Sequence, residues 1–190
     1  MIASVETLAM NSPTRHPITE ALVTLVKGMC SHPEELDIEE KQTSGRLIID
    51  FAAHSADAPV LIGRLGRQAT ALKFLASEMG NRAGMKVDLQ IRDNYRGVRE
   101  PLRDFTHNPN FKNEDFTAVL NPVLEMALGS VPQMEFREEA KGTSLILDIP
   151  REKSTIAQAI ANAFYPFAIR KGRKIRILNK NYQPACDCGH

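Results

Sequence analysis

Two glycines separated by two residues are the feature of this sequence best suited to binding chemistry. Gly63 and Gly66 enclose Arg64 and Leu65, and Arg67 follows directly. A phosphate can approach a backbone closely only where no Cβ intervenes, and glycine leaves that space open. A helix beginning just after the turn would add free N–H donors and a partial positive charge. The pattern therefore predicts a phosphate-binding turn supported by two arginines.

The neighbours of this turn extend the predicted site. Leu61 and Ile62 precede it and, together with Leu65, offer apolar surface to nucleic-acid bases. Lys73 lies further along the following helical segment and adds a third cation. No aromatic residue flanks the turn in the sequence, so base stacking is not expected and sequence discrimination should be modest. The alternative is a merely structural helix–helix turn whose arginines are solvated.

Five acidic residues lie close together earlier in the chain, and they would repel phosphate if they faced the turn. They are Glu34, Glu35, Asp37, Glu39 and Glu40. We expect them to lie on the side away from the glycines.

The segments around the turn have the periodicity of short helices and strands. Apolar residues recur every three or four positions after Pro17, as on one face of a helix, and alternating runs later indicate strands. The order is helix, two strands, two helices and a strand. The predicted elements are a helix Pro17–Met29, strands Leu36–Lys41 and Arg46–Phe51, a short helix Ala58–Ile62 capped by Asp57, a helix Arg67–Met79 and a strand Met85–Ile91.

The second half of the chain repeats the apolar pattern of the first. A shift of 98 positions aligns Ile18 with Phe116 and continues through the hairpin, and after Phe51 a shift of 88 continues to the last strand. A constant register across several elements argues for two related units. The missing residues fall between Ile149 and Ala157, where the glycine turn should be. The second unit should therefore fold similarly but lack the phosphate-binding turn.

Proline and basic residues distinguish the second unit from the first. We expect Pro122 and Pro166 to kink or shorten their helices. Six basic residues between Arg170 and Lys180 either contact RNA or form a solvated edge, and the pattern favours neither. The predicted elements are strands 133–140 and 145–149, a helix from about Ser154 and a final strand 174–178.

Composition excludes several classes of protein. The chain has 190 residues, 24 basic and 23 acidic side chains and a formal net charge of +1, so any polyanion site must be a local patch. No apolar run approaches the roughly 18 residues of a membrane span, and no leader segment is evident at the N-terminus, so we expect a cytoplasmic protein without membrane partners.

We find no catalytic group of residues and expect no cofactor and no small-molecule substrate. The spacing of Cys186, Cys188 and His190 is poor for zinc, so no metal site is expected either.

With Ile62-Gly63-Arg64-Leu65-Gly66-Arg67 between its two later helices, the segment from Pro17 to Asp93 resembles the bacterial type II KH domain, in particular the small KhpA-like RNA-binding proteins. The resemblance implies an α+β fold, with a type II KH domain (α-β-β-α-α-β) followed by a degenerate KH-like α/β repeat without the Gly-x-x-Gly loop. It also implies single-stranded RNA as the partner. The implied nucleic-acid-binding residues are Leu61, Ile62, Gly63, Arg64, Leu65, Gly66, Arg67 and Lys73. Arg64 fits the family pattern, whereas Leu65 stands where a polar residue is usual.

These observations predict a domain organisation and two alternative functions. We expect an N-terminal extension at 1–16, a KH domain at 17–93, a linker at 94–115, a degenerate KH-like domain at 116–180 and a tail at 181–190, with the two domains packed as an internal pseudo-dimer. The expected function is that of a non-enzymatic RNA chaperone or post-transcriptional regulator. The alternative is a protein-interaction or scaffold module with little RNA binding. Its repeats would mediate dimerisation or assembly with another KH protein, in ribosome assembly or transcription.

Overall fold

A computed structural model describes residues 15–92, 108–140 and 142–180, and it arranges them in two units with similar element order. Most of the expected N-terminal extension and of the expected linker, and the whole tail with its two cysteines, lie outside these residues. The first unit comprises α1 (Pro17–Met29), β1 (Asp37–Thr43), β2 (Arg46–Ala52), α2 (Ala58–Ile62), α3 (Arg67–Arg82) and β3 (Lys86–Arg92). The second comprises α4 (Asn113–Leu128), β4 (Met134–Glu139), β5 (Gly142–Leu147), α5 (Ser154–Arg170) and β6 (Ile175–Asn179).

The first unit has the α-β-β-α-α-β topology predicted from the sequence. β1 pairs antiparallel with β2 across a tight turn, and β2 pairs parallel with β3. A parallel pair needs a crossover connection, and α2 and α3 provide it. Leu47, Ile49 and Phe51 alternate along β2 and are fully buried, so one face of the sheet lies against the helices.

The second unit keeps this sheet but has fewer helices. β4 pairs antiparallel with β5, and β5 pairs parallel with β6. The single helix α5, preceded by one 3-10 turn at 151–153, makes the crossover that α2 and α3 make in the first unit. The chain is thus an α+β protein in which a KH domain is followed by a degenerate KH-like repeat without the glycine loop.

Of the expected kink or shortening, the shortening does not occur, because neither proline ends its helix. Pro122 lies inside the 16-residue α4 and Pro166 inside the 17-residue α5. An internal proline costs about 3 kcal/mol. Both helices also bury several large apolar side chains, including Leu124 and Phe164 at 0% exposure. Burial of such side chains contributes about 1.5–3 kcal/mol each, which outweighs the loss of one backbone hydrogen bond.

The two units share one apolar core, which confirms the expected internal pseudo-dimer. Phe167 of α5 lies against the backbone of Gly28 in α1, where an added Cβ would be only 2.2 Å from the ring. The buried Gln68 side chain donates from Nε2 to the carbonyl oxygen of Ala163 at 2.9 Å. Arg170 Nε donates to the carbonyl oxygen of Met29 at 3.1 Å. Apolar packing and specific hydrogen bonds therefore both fix the position of α5 on the first unit.

None of the described helices has both the length and the hydropathy needed to span a membrane.

Candidate nucleic-acid interface

The Gly63–Gly66 turn connects α2 to α3 through left-handed backbone conformations. Gly63 has φ 71° and ψ 176°, and Gly66 has φ 73° and ψ 8°. The amide of Gly66 donates to the carbonyl oxygen of Gly63 at 3.2 Å, which closes the turn. L-residues rarely adopt these backbone angles, so glycine is the residue that permits this geometry.

The two glycines have different roles. A Cβ on Gly63 would lie 2.7 Å from Cβ of Gln68 and 3.1 Å from its amide nitrogen, so Gly63 allows the turn to pack against the first turn of α3. A Cβ on Gly66 would have nothing within 4 Å. Gly66 therefore leaves open space next to the helix N-terminus, where the first amides lack intrahelical acceptors.

Leu65 stands at the tip of the turn in a strained conformation. It has φ 57°, the only positive φ among the described non-glycine residues, and its side chain is 85% exposed. A left-handed backbone costs an L-residue roughly 1–2 kcal/mol, and exposure of a leucine gains nothing in stability. Such strain is found where the surrounding structure imposes a conformation, often at binding sites.

The other predicted site residues divide into two groups. Arg64 and Arg67 are exposed, and neither makes an ion pair with any residue that the structure describes. Ile62 is half-buried below the turn, but Leu61 is completely buried in the core and has no surface to offer a base. Lys73 is exposed on α3, six residues after Arg67 and therefore about 240° around the helix. The structure thus brings the two arginines together and leaves Leu61 and Lys73 apart from them.

A groove of about 770 Å³ extends from the turn to the second unit. One wall comes from the first unit and includes Gly63 and both arginines, and the other comes from α5 and β6. The full lining is Ser31, His32, Ala56, Pro59, Val60, Gly63, Arg64, Arg67, Gln68, Gln158, Ala161, Asn162, Tyr165, Pro166, Arg170, Arg176 and Ile177. This lining contains four arginines and no carboxylate, so the groove favours an anionic ligand.

Comparison with known proteins agrees with this geometry. The family described as "KhpA/KhpB, KH domain" matches residues 19–91. A relative from Streptomyces coelicolor, named RNA-binding protein KhpA, is 33% identical over 79 residues, which cover 42% of this chain and 99% of that protein. The chain belongs to the KhpA/KhpB KH-domain family.

Further relatives of the same name support this assignment. The KhpA protein of Chlamydia muridarum is 30% identical over 74 residues, covering 39% of this chain and 95% of the relative. That of Bacillus subtilis is 24% identical over 80 residues, covering 42% and 99%. The family match ends at residue 91, before α4 begins. It therefore covers the KH domain and does not extend to the second unit.

The wall that α5 adds to the KH domain was missed by sequence reasoning. Gln158, Ala161, Asn162 and Tyr165 have the spacing of one helix face and line the groove together. The polar stripe is visible in the sequence opposite the apolar face of α5. Its proximity to the glycine turn depends on how the two units pack, which the sequence pattern does not specify.

Asp57 has a different role from the one predicted. It occupies the N-cap position of α2, but its side chain makes no capping hydrogen bond. Instead its buried carboxylate accepts hydrogen bonds from the amides of Ser31 at 2.7 Å and His32 at 2.9 Å. Arg170 lies 3.7 Å from the same carboxylate. Asp57 therefore anchors the segment after α1 and neutralises the innermost arginine of the groove.

Three buried or half-buried side chains lie near this carboxylate, those of His32, His54 and Cys30. His32 Nδ1 lies 3.3 Å from Asp57 Oδ2, and the ring of His54 lies 4.2 Å from that of His32. Burial, and secondarily the charge of Asp57, raises the pKa of the Cys30 thiol to about 12. These contacts form a structural network behind the groove, in which both carboxylate oxygens already have protein donors.

The five clustered acidic residues between Glu34 and Glu40 do not line the groove. Glu39 pairs with Arg92 at 3.2 Å, and Glu40 accepts a hydrogen bond from the amide of His16 at 3.1 Å. Glu35 lies 3.8 Å from Nε2 of His54. This arrangement agrees with the expectation that they leave the groove electropositive.

Proposed function

We propose that this chain binds single-stranded RNA and that the Gly63–Gly66 turn holds the phosphate backbone. The observation that carries the proposal is the open space at Gly66 beside the N-terminus of α3, with Arg64 and Arg67 exposed on the same turn. Free amides, a helix dipole and unpaired guanidinium groups all favour phosphate. Membership of a family whose relatives are named RNA-binding proteins supports RNA as the polyanion.

The turn and the groove have complementary roles in this mechanism. A Gly-x-x-Gly turn clamps about four nucleotides of a single strand. The phosphates would lie over Gly66, and the bases would face the groove. Leu65, exposed at the tip, offers apolar contact to a sugar or a base. Because these contacts read the backbone more than base edges, the sequence preference should be modest.

Modest specificity suits a protein that acts on many transcripts. We therefore favour a cytoplasmic RNA chaperone or post-transcriptional regulator, whose role is binding rather than catalysis. The net charge of +1 means that attraction to RNA depends on the groove and not on the whole surface. The competing function is a protein-interaction module with little affinity for RNA.

The test is a double substitution in the turn. Arg64→Asp with Leu65→Asp places two carboxylates where the phosphate would lie, and both side chains are exposed, so the fold should be retained. The matched control is Arg151→Asp with Val131→Asp, which likewise replaces one arginine and one aliphatic residue by aspartate at exposed positions that do not line the groove. Binding of a fluorescent 12-nucleotide oligouridylate is followed by anisotropy, and folding by circular dichroism.

We expect the turn variant to lose binding and the control to retain it. With about three phosphates contacted, the logarithm of the association constant should fall with the logarithm of salt concentration with a slope near −2, at about −0.7 per contact. Equal affinity of the folded turn variant and wild type, or a flat salt response, would favour the protein-interaction module.

A further inference from the structure

Among the described residues, Tyr165 is the Tyr or Phe side chain that lines the groove. Its side chain is 55% exposed, whereas the neighbouring Phe164 and Phe167 are buried in the core. It lines the same groove as Gly63 and Arg64. Any of the nucleic-acid bases can stack on an aromatic ring. An exposed ring beside a phosphate-binding turn therefore suits single-stranded RNA.

Polar groups flank Tyr165 on α5. Asn162 and Gln158 lie about one and two turns earlier, respectively, on the same face, and Gln158 Nε2 donates to Asn162 Oδ1 at 3.2 Å. The remaining donors and acceptors of the two amides are available to base edges or 2′-hydroxyl groups. This wall thus combines hydrogen-bonding groups with an aromatic stacking surface, and the turn itself has no aromatic side chain.

A cation completes the wall. Arg176 of β6 is exposed, lines the groove and makes no ion pair with any part of the chain that the structure describes. Arg170, by contrast, is occupied by the Met29 carbonyl oxygen and the Asp57 carboxylate. Of the two second-unit arginines that line the groove, Arg176 is therefore the one free to contact phosphate.

We propose that the degenerate repeat forms the second half of the RNA site, with Tyr165 stacking on a base and Arg176 contacting a phosphate of the same strand. This inference rests on the proposed function of the turn. In this arrangement the RNA strand runs from Gly66 across the groove and continues over α5. The repeat has lost its own phosphate-binding turn, and in this arrangement it supplies the stacking surface that the KH domain does not have.

The test uses single substitutions in the full-length protein and the same 12-nucleotide oligouridylate. Tyr165→Ala should weaken binding about tenfold, because stacking contributes about 1–3 kcal/mol per base. Tyr165→Phe keeps the ring and should bind like wild type. Arg176→Gln should reduce the magnitude of the salt slope by about 0.7. Arg151→Gln makes the same charge change outside the groove and is the matched control.

The outcomes separate this inference from the function on which it rests. If the Asp substitutions in the turn abolish binding but Tyr165→Ala and Arg176→Gln match wild type and the control, the turn binds RNA and the second unit does not. If the turn substitutions have no effect, the proposed function and this inference both fail. If Tyr165→Phe binds as weakly as Tyr165→Ala, stacking is not the contact and the inference is overturned. A thermal melt of each variant checks that the exposed substitutions leave the fold unchanged.

Discussion

Replacement of Gly28 by alanine should disrupt the packing that joins the two units. The new Cβ would lie 2.2 Å from Cε2 and 2.5 Å from Cδ2 of Phe167. Ordinary carbon–carbon contacts are about 3.5–4.0 Å, so the ring must retreat by more than about 1 Å. Phe167 is 2% exposed and lies against the rings of Phe111, Phe116 and Phe164, with centroids 5.8–6.0 Å away, so it has little room to move.

The expected loss of stability combines two opposing effects. Overpacking of a core costs about 1–3 kcal/mol. Removal of a helical glycine contributes about 0.5–1 kcal/mol in the other direction. The net loss should be about 1–2 kcal/mol, which lowers the Tm by about 2–8 °C for a chain of this length.

Chemical and thermal unfolding of the full chain measures this loss of stability. A double-mutant cycle with Phe167 tests whether the loss comes from the contact between residue 28 and the Phe167 ring. Lys27→Ala changes an exposed neighbour on the same helix and should alter stability by less than about 0.5 kcal/mol. In a Phe167→Leu background the obstructing ring is gone, so Gly28→Ala should be neutral or stabilising. An identical effect of Gly28→Ala in both backgrounds, or no loss in wild type, would refute the packing described here.

Other predictions concern the turn, the buried thiol and the interface. In unfolding measurements, Gly63→Ala should be more destabilising than Gly66→Asn. A Cβ at position 63 would meet the backbone of α3, whereas one at position 66 would meet nothing, and asparagine tolerates a left-handed conformation. The reverse order would contradict the roles given to the two glycines. With both C-terminal cysteines changed to serine, Cys30 should resist thiol reagents in the native protein at pH 8, since its pKa of about 12 keeps it protonated. The stability that this neutral thiol contributes is fully present below the ordinary pKa of 9.0 and should fall as the pH rises from there towards 12. A 1–110 fragment should self-associate in light-scattering measurements, because it lacks the helices that cover α1 and α3; a monomeric fragment with the thermal stability of the full chain would contradict the shared core.

The sequence was most informative where a single segment determines its own structure. Pro17 marks the start of α1, and the alternation of Leu47, Ile49 and Phe51 predicts β2 with its inner face. The register between the two halves also predicted the second sheet and the missing turn. In these segments, local periodicity and tertiary burial favour the same conformation, which is why the pattern suffices.

The predictions were less accurate where tertiary contacts determine a residue's role. Asp57 suited a helix cap by type and position, but it instead accepts hydrogen bonds from the segment after α1. Leu61 belongs to the family-like motif, yet its side chain is buried in the core. Tyr165 belongs to a helix of the other unit, about one hundred residues from the turn. Each outcome depends on distances between segments that are far apart in the chain.

The loss of the turn from the second unit changes what an internal duplication can do. Two identical KH units would present two phosphate-binding turns, and a single strand would need to span both. Here α5 makes the crossover as one helix, so its polar stripe of Gln158, Asn162 and Tyr165 lies along the groove instead of a second turn. Because Phe167 and Arg170 of the same helix fix it to α1, the stripe is held in position before RNA arrives. If RNA binds as proposed, such preorganisation reduces the entropy lost on binding, and the degenerate repeat contributes to the site without a glycine turn of its own.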